Sequence, residues 1–160
     1  MGFAKLSLKG RALKLLAQRE HSRSELESKL ARHVEEGDDL AAILDELESK
    51  DFINSERVAA SVVHRRASRM GTQRVVQELR SKGLDDALIK STAAELQSTE
   101  LERALQVWKS KFGSREPANT PQEKAKQMRF LAARGFSGDV VRKVLKSAAE
   151  IEDGEGSCFE

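Results

Sequence analysis

The sequence is poor in cysteine, proline and aromatic residues. Its 160 residues include one cysteine, two prolines and no tyrosine, and aromatic residues make up 4% of the chain. Because Cys158 has no second cysteine, it has neither a disulfide partner nor a CxxC metal or redox motif. The scarcity of proline leaves long windows rich in Leu, Ala, Glu, Lys and Arg, which favour helix. Together these features exclude a disulfide scaffold and favour an all-α fold with a thin core.

Long apolar segments are also missing. No run approaches the roughly 18 apolar residues that a membrane-spanning helix needs, and the N-terminus has no signal-like apolar core. We therefore expect a soluble, cytoplasmic protein. Alternation of apolar and polar residues over a strand length is missing as well, which again favours helices.

Signatures of catalysis and of metal binding are missing too. The sequence has no phosphate-binding GxxxxGK[ST] loop and no GxGxxG turn. His21, His33 and His64 are not spaced as metal ligands, and the acidic run at 35–39 lacks the ligand spacing of an EF-hand. The sequence therefore predicts no catalytic residue, no metal site and no cofactor, and indicates a protein that is not an enzyme.

What the sequence does contain is a series of clear helix boundaries. Ser22 with Glu25 and Thr99 with Glu102 have the spacing of a capping box. Thr120 to Glu123 adds a proline at the first helical position, which is the strongest of these start signals. The predicted helices span residues 4–19, 23–34, 39–50, 55–70, 72–82, 85–97, 99–112, 121–134 and 138–149.

The helices recur with an internal period. Shifting the chain by 52 residues superimposes Gly83, at a predicted helix C-terminus, on Gly135, with apolar neighbours matched on both sides. A looser copy of this helix pair lies earlier, and a further helix precedes each copy. This pattern predicts an elongated, curved array of three tandem three-helix repeats. The predicted repeats are 1–54, 55–98 and 99–150, and they are followed by an acidic, disordered tail at 151–160.

Positive charge is concentrated in two segments, although the net charge is only +2. Residues 57–82 carry seven basic side chains and one acidic side chain, and residues 124–146 carry the same numbers. A solvated helix face normally mixes the two signs. The local potential of these segments therefore predicts a surface for a polyanion or for an acidic partner.

The first basic segment centres on HRRASRMGTQRVVQELRSKG, residues 64–83. On a helix, Val75, Val76 and Leu79 share one face, and the basic side chains lie opposite or beside it. Several guanidinium groups near one helix corner suit phosphates or carboxylates. The residues assigned to the predicted surface in this segment are Arg65, Arg66, Arg69, Arg74, Arg80 and Lys82.

The second basic segment is EKAKQMRFLAARGF, residues 123–136. Helical spacing predicts that four residues face inward, namely Ala125, Met128, Leu131 and Ala132. Phe130 falls among the basic residues, where it either stacks on an unpaired base or packs against a neighbouring helix, and packing is the commoner role in stacked repeats. The residues assigned to the predicted surface here are Lys124, Lys126, Arg129 and Arg134.

Three segments of this chain resemble the RecX family of recombinase regulators. They are AQREHSRSELESKL (17–30), RMGTQRVVQELRSKGL (69–84) and QEKAKQMRFLAARGF (122–136), in the expected order and at the expected separations. The sequence departs from the family pattern at Thr72, where a proline is usual after the glycine. It also departs at Asn54 and Ser55, which replace an acidic pair, and at Val58, which replaces an aromatic residue.

The resemblance implies a protein of three-helix repeats that binds RecA, chiefly RecA assembled on single-stranded DNA. Members of the family modulate the filament, usually by inhibiting ATP hydrolysis, strand exchange and coprotease activity, and so act in homologous recombination, DNA repair and the SOS response. On this basis we expect a monomer with no ATP site of its own and with weak, non-specific DNA binding.

Two alternatives belong to other functional classes. One is a helix-turn-helix protein that reads duplex DNA with residues 72–82, which would prefer one sequence by roughly 10³-fold over random duplex. The other is a helical-repeat scaffold for an acidic protein unrelated to RecA or DNA.

Overall fold

The fold is all-α, as the sequence predicts. In this computed structural model residues 4–113, 118 and 120–155 are described, and this part of the chain contains nine α-helices and no strand. A 3₁₀ turn, Ala31–His33, follows the second helix, and no helix among the described residues is long and apolar enough to cross a membrane. The helices are α1 (Leu8–Gln18), α2 (Arg23–Leu30), α3 (Leu40–Ser49), α4 (Ser55–Arg66), α5 (Thr72–Ser81), α6 (Asp86–Ser98), α7 (Glu100–Phe112), α8 (Pro121–Ala133) and α9 (Gly138–Glu155).

The chain forms two compact units, each with a core of its own. Unit 1 consists of Met1–Ser61 and Leu79–Ile89, and unit 2 consists of Val62–Glu78 and Lys90–Glu160. The core of unit 1 is formed mainly by α1, α2 and α3, and includes Leu8, Ala12, Leu26, Leu30, Leu44, Leu47 and Ile53. The core of unit 2 is formed by α7, α8 and α9, and includes Ala104, Val107, Leu131, Phe136, Val141 and Val144. The boundaries of the three repeats stay a prediction.

Three predicted helix starts have different outcomes. At α8, the Thr120 hydroxyl accepts from the Glu123 N–H and the Glu123 carboxylate accepts from the Thr120 N–H, so the predicted capping box is complete. Ser22 caps α2 through the Glu25 N–H, but the Glu25 side chain forms ion pairs instead of closing the box. Thr99 makes no capping hydrogen bond, because its hydroxyl donates back to the Leu96 carbonyl oxygen.

Three helix ends differ from the prediction. Helix α1 begins at Leu8, because Ser7 caps it by accepting from the Gly10 N–H. Helix α4 ends at Arg66, four residues early, since the Gly71 N–H donates to the Arg134 carbonyl oxygen and the Ala67 carbonyl oxygen accepts from Arg103. Helix α9 continues to Glu155 and so takes in the first five residues of the predicted tail. Cys158 and the rest of that tail lie outside the described residues.

The two glycines aligned by the internal repeat both end helices with a left-handed backbone. Gly83 has a φ of 70° and Gly135 a φ of 87°, a region that favours glycine. Each N–H bonds a carbonyl oxygen of the preceding helix turn, at Arg80 and Ala132 respectively. The predicted C-terminal caps are therefore confirmed at both positions.

Candidate polyanion-binding cleft

The predicted basic surface of unit 2 is built around the corner between α4 and α5. The Gly71 N–H donates to the Arg134 carbonyl oxygen at 2.7 Å, and the Gln73 N–H donates to the Gly135 carbonyl oxygen at 3.2 Å. A methyl group on Gly71 would lie 2.3 Å from the carbonyl carbon of Gly135. Only a glycine lets the two corners approach this closely, so residues 65–70 and the end of α8 are held side by side.

Arg103 on α7 fixes the same corner from its other side. Its guanidinium donates to the carbonyl oxygens of Ala67 at 3.0 Å, Met70 at 2.7 Å and Leu96 at 2.9 Å. Burial lowers the pKa of Arg103, and the nearby Glu100 carboxylate opposes that shift. Because the guanidinium presents several donors in a rigid fork, one side chain satisfies two carbonyls that follow α4 and one near the end of α6.

Thr72 completes this support. Its buried N–H donates at 2.9 Å to the Glu100 carboxylate, which is itself 5% exposed. A proline at this position, usual in the resembled family, has no N–H and could not make this bond. The N–H that Thr72 has, and that a proline would lack, therefore has a hydrogen-bond acceptor in the Glu100 carboxylate.

Four of the ten predicted surface residues meet in one cleft of unit 2. Arg65, Arg66, Arg69 and Arg134 line a depression of about 500 Å³, together with Lys111 from α7. Phe130 and Met70 supply apolar walls, and none of the described lining residues carries a carboxylate. Volumes of this order are typical of ligand sites.

Two of the cleft arginines are partly neutralised. Glu78 on α5 accepts from Arg66 at 2.8 Å and from Arg65 at 3.3 Å. Within the described residues, Arg69, Lys111 and Arg134 form no ion pair. The cleft therefore keeps a net positive potential, because among the described residues one carboxylate, which lies outside the lining, pairs with two of the five cations.

Phe130 packs within its own protein, as the commoner of its two predicted roles requires. The Arg134 guanidinium lies over its ring, 4.7 Å from the centroid, and Phe112 meets it edge-on at 5.2 Å. Lys111 approaches the same ring at 5.9 Å. These contacts are favourable cation–π and aromatic geometries, and they fix Arg134 at the wall of the cleft.

The predicted inward face of α8 is wrong in part. Leu131 is buried, but Met128 is 42% exposed and Ala132 is also exposed. Gln127 is buried in their place, because its side-chain oxygen accepts at 2.9 Å from the Trp108 indole N–H. A satisfied polar side chain can occupy such a position, so apolar spacing alone misplaced the face by about one residue.

The other six predicted residues do not line the cleft. Arg74 folds back, donating to the Ala133 carbonyl oxygen at 3.1 Å. Arg80 and Lys82 belong to unit 1, where Lys82 is ion-paired with Glu25. The remaining three are exposed on α8, namely Lys124, Lys126 and Arg129.

Sequence reasoning missed three residues of this site. Lys111 lines the cleft, and Arg103 and Glu100 support the corner behind it. Arg103 contacts carbonyls 33 and 36 residues away, so local sequence carried no signal of its role. The described residues contain no cluster of His, Cys, Asp or Glu that could hold a metal ion.

Comparison with known proteins shows that this chain is similar to proteins named regulatory protein RecX. The family models "RecX, second three-helix domain" and "RecX, third three-helix domain" match residues 54–92 and 98–145. "Regulatory protein RecX" of Leptothrix cholodnii is 50% identical over 148 residues, covering 92% of this chain and 93% of the relative. The protein of the same name from Ralstonia nicotianae is 50% identical over 151 residues, covering 94% of each.

A solved structure gives the same fold. The crystal structure of RecX from Lactobacillus salivarius superimposes with a TM-score of 0.75, covering 89% of this chain and 94% of the other at 20% identity.

Proposed function

We propose that this chain, which belongs to the RecX family, binds the RecA recombinase and its filament on single-stranded DNA and restrains the filament's activity. Family membership carries the proposal, since half of the residues are identical to those of named regulatory proteins over more than nine-tenths of the chain. The activities restrained are ATP hydrolysis, strand exchange and coprotease action. The protein acts by binding rather than by chemistry of its own.

The cleft of unit 2 is proposed as one contact surface. Arg65, Arg66 and Arg69 come from consecutive turns of one corner, and Arg134 and Lys111 face them from α8 and α7. Guanidinium groups in this arrangement bind carboxylates or phosphates in a bidentate manner. The filament offers both, as acidic protein surface and as DNA backbone.

One observation disfavours a helix-turn-helix reader. Such a protein needs polar side chains of the recognition helix free to reach base edges. Arg74, an exposed basic residue in the first turn of α5, is instead hydrogen-bonded to Ala133, and a Cβ on Gly135 would lie only 2.5 Å from its Cγ.

The proposal is tested by the rate of ATP hydrolysis by RecA on single-stranded DNA, with this protein titrated from far below stoichiometry. We expect the rate to fall, and a fall at small ratios would indicate action at filament ends. An unchanged rate, together with no direct binding to RecA, would refute the proposal.

The cleft is tested in the same assay by R65E/R66E/R69E. Reversing three charges should weaken inhibition by about tenfold or more, because like charges then face the partner. The matched control, K90E/K109E/K143E, changes the net charge equally at exposed sites outside the cleft and should inhibit like the wild type. R69E alone avoids placing a carboxylate beside Glu78 and guards against misfolding. Equal inhibition by the folded cleft variants and the control would remove the cleft from the contact surface.

A further inference from the structure

A second cationic cleft lies in unit 1, where the sequence indicated none. Helix α1 and the end of α2, with the 3₁₀ turn that follows it, enclose a volume of about 340 Å³. Of the nine described residues that line it, five are basic and none is acidic. The basic residues are Arg11, Lys14, Lys29, Arg32 and His33.

The basic residues of the cleft differ from nearby cations of unit 1 in their ion pairing. Lys9 is bound by Glu46 at 2.7 Å, Arg19 by Glu25 at 2.9 Å, and Lys5 by Glu35. In contrast, the cations that line the cleft form no ion pair within the described residues. Lys29 donates to the buried His21 ring at 3.5 Å, which is a neutral acceptor because burial lowers the pKa of His21. Carboxylates are thus abundant in unit 1, but none of the described ones lines the cleft, so its charge is available to an external anion.

The residues at the floor of the cleft indicate whether it suits a single-stranded nucleic acid or an acidic peptide. It is apolar, made by the buried Leu30, the half-buried Leu15 and Leu6, which is 47% exposed. No aromatic ring is among its described lining residues, whereas single-stranded nucleic acids bind largely by stacking bases on aromatic side chains. An aliphatic floor beneath a ring of ammonium and guanidinium groups instead suits a carboxylate-rich chain that also carries an apolar side chain.

We propose that this cleft docks an acidic peptide segment of a partner protein, with one hydrophobic side chain against Leu6, Leu15 and Leu30 and flanking carboxylates on Lys14, Lys29 and Arg32. The assignment depends neither on RecA nor on the cleft of unit 2. It adds to the chain a second contact surface of different chemistry.

His33 gives the cleft a built-in reporter. Desolvation, and then the positive charges of Arg11, Arg32 and Lys5, lower the pKa of His33. Lys14 and Lys29 line the same cleft, and Glu35 is engaged by Lys5. A bound carboxylate favours the charged imidazolium, so docking raises the His33 pKa and binding strengthens as the pH falls through it.

The test is fluorescence anisotropy of a labelled synthetic peptide of Asp and Glu residues around one phenylalanine, titrated with the full chain. K14E/R32E should weaken binding by about tenfold or more, and both positions are exposed, so folding should be retained. The matched control K90E/K143E carries the same charge change on exposed residues outside the cleft and should bind like the wild type. The His33 resonance, followed by NMR, should titrate at higher pH with peptide than without.

Three outcomes would overturn the proposal. Equal weakening by K14E/R32E and by the control would show only general attraction between opposite charges. Equal binding of a peptide with serine in place of phenylalanine would remove the apolar floor from recognition. Displacement of the peptide by a thymidine oligonucleotide that binds the cleft more tightly would reassign it to nucleic acid. Since RecA is not in this assay, its result is independent of the proposed function.

Discussion

At the scale of single residues, the side chains that carry the proposed function are supported by others whose roles are not local. Arg65, Arg66 and Arg69 were identified by charge density alone, because seven basic residues and one acidic residue in one segment are unusual for a solvated surface. Arg103 carries the same guanidinium group, yet it points inward to three carbonyl oxygens. Its role depends on where α4 ends, and tertiary contacts set that end.

Arg103→Ala should therefore destabilise the protein by about 2 kcal/mol or more, since each buried carbonyl left without a donor costs roughly 1 to 3 kcal/mol. The free energy of unfolding of Arg103→Lys should lie between those of the wild type and of Arg103→Ala, because a lysine keeps the charge but lacks the planar guanidinium. Arg129→Ala, at an exposed site on α8, should fall within about 0.5 kcal/mol of the wild type. The measurement is the free energy of unfolding in urea. Matching values for Arg103→Ala and Arg129→Ala would show that the carbonyls are satisfied in another way.

At the scale of elements, local signals predicted most helix starts and glycine caps but fewer helix ends. The Thr120 box and the Gly83 and Gly135 caps need only neighbouring residues, so the sequence indicates them directly. The end of α4 depends on more than neighbouring residues. The Gly71 N–H, which would bond the Ala67 carbonyl in a longer helix, donates to the Arg134 carbonyl oxygen instead. That contact joins residues 63 apart, and a pattern read within one turn cannot contain it.

The same contact makes Gly71 a test of corner packing. Gly71→Ala should destabilise the protein by roughly 1 to 3 kcal/mol, the usual cost of forcing extra volume into a packed site, since the new methyl group would lie 2.3 Å from the Gly135 backbone. Gly138→Ala is the matched control, because no atom lies within 4 Å of its added Cβ, and it should be neutral or slightly stabilising. Urea unfolding again reports the difference. Equal stability of the two variants would mean that the corners separate without cost.

At the scale of the whole molecule, a net charge of +2 conceals strong local segregation. Within unit 2, one cleft is lined by Arg65, Arg66, Arg69, Lys111 and Arg134, and among the described residues Glu78 is their only carboxylate partner. The sequence predicted that these segments are basic, but not which of their residues share the cleft. Arg74 and the three basic residues of α8 follow the same helical pattern and point elsewhere. The cleft of unit 1 escaped prediction for a related reason. Its cations come from α1, α2 and the 3₁₀ turn, and the sequence does not show which basic residues of these elements are ion-paired.

This grouping predicts how binding to single-stranded DNA responds to salt. Each neutralised phosphate contributes about −0.7 to the slope of log K against log salt concentration on a single strand. If three cleft arginines contact phosphates, R65E/R66E/R69E should reduce the magnitude of the slope by about 2 relative to the wild type, and K90E/K109E/K143E should leave it unchanged. Anisotropy titrations of a thymidine oligonucleotide at several salt concentrations measure this. Equal slopes for all three proteins would assign the cleft to carboxylates of the partner rather than to DNA, because an acidic protein surface is then the remaining ligand for those arginines.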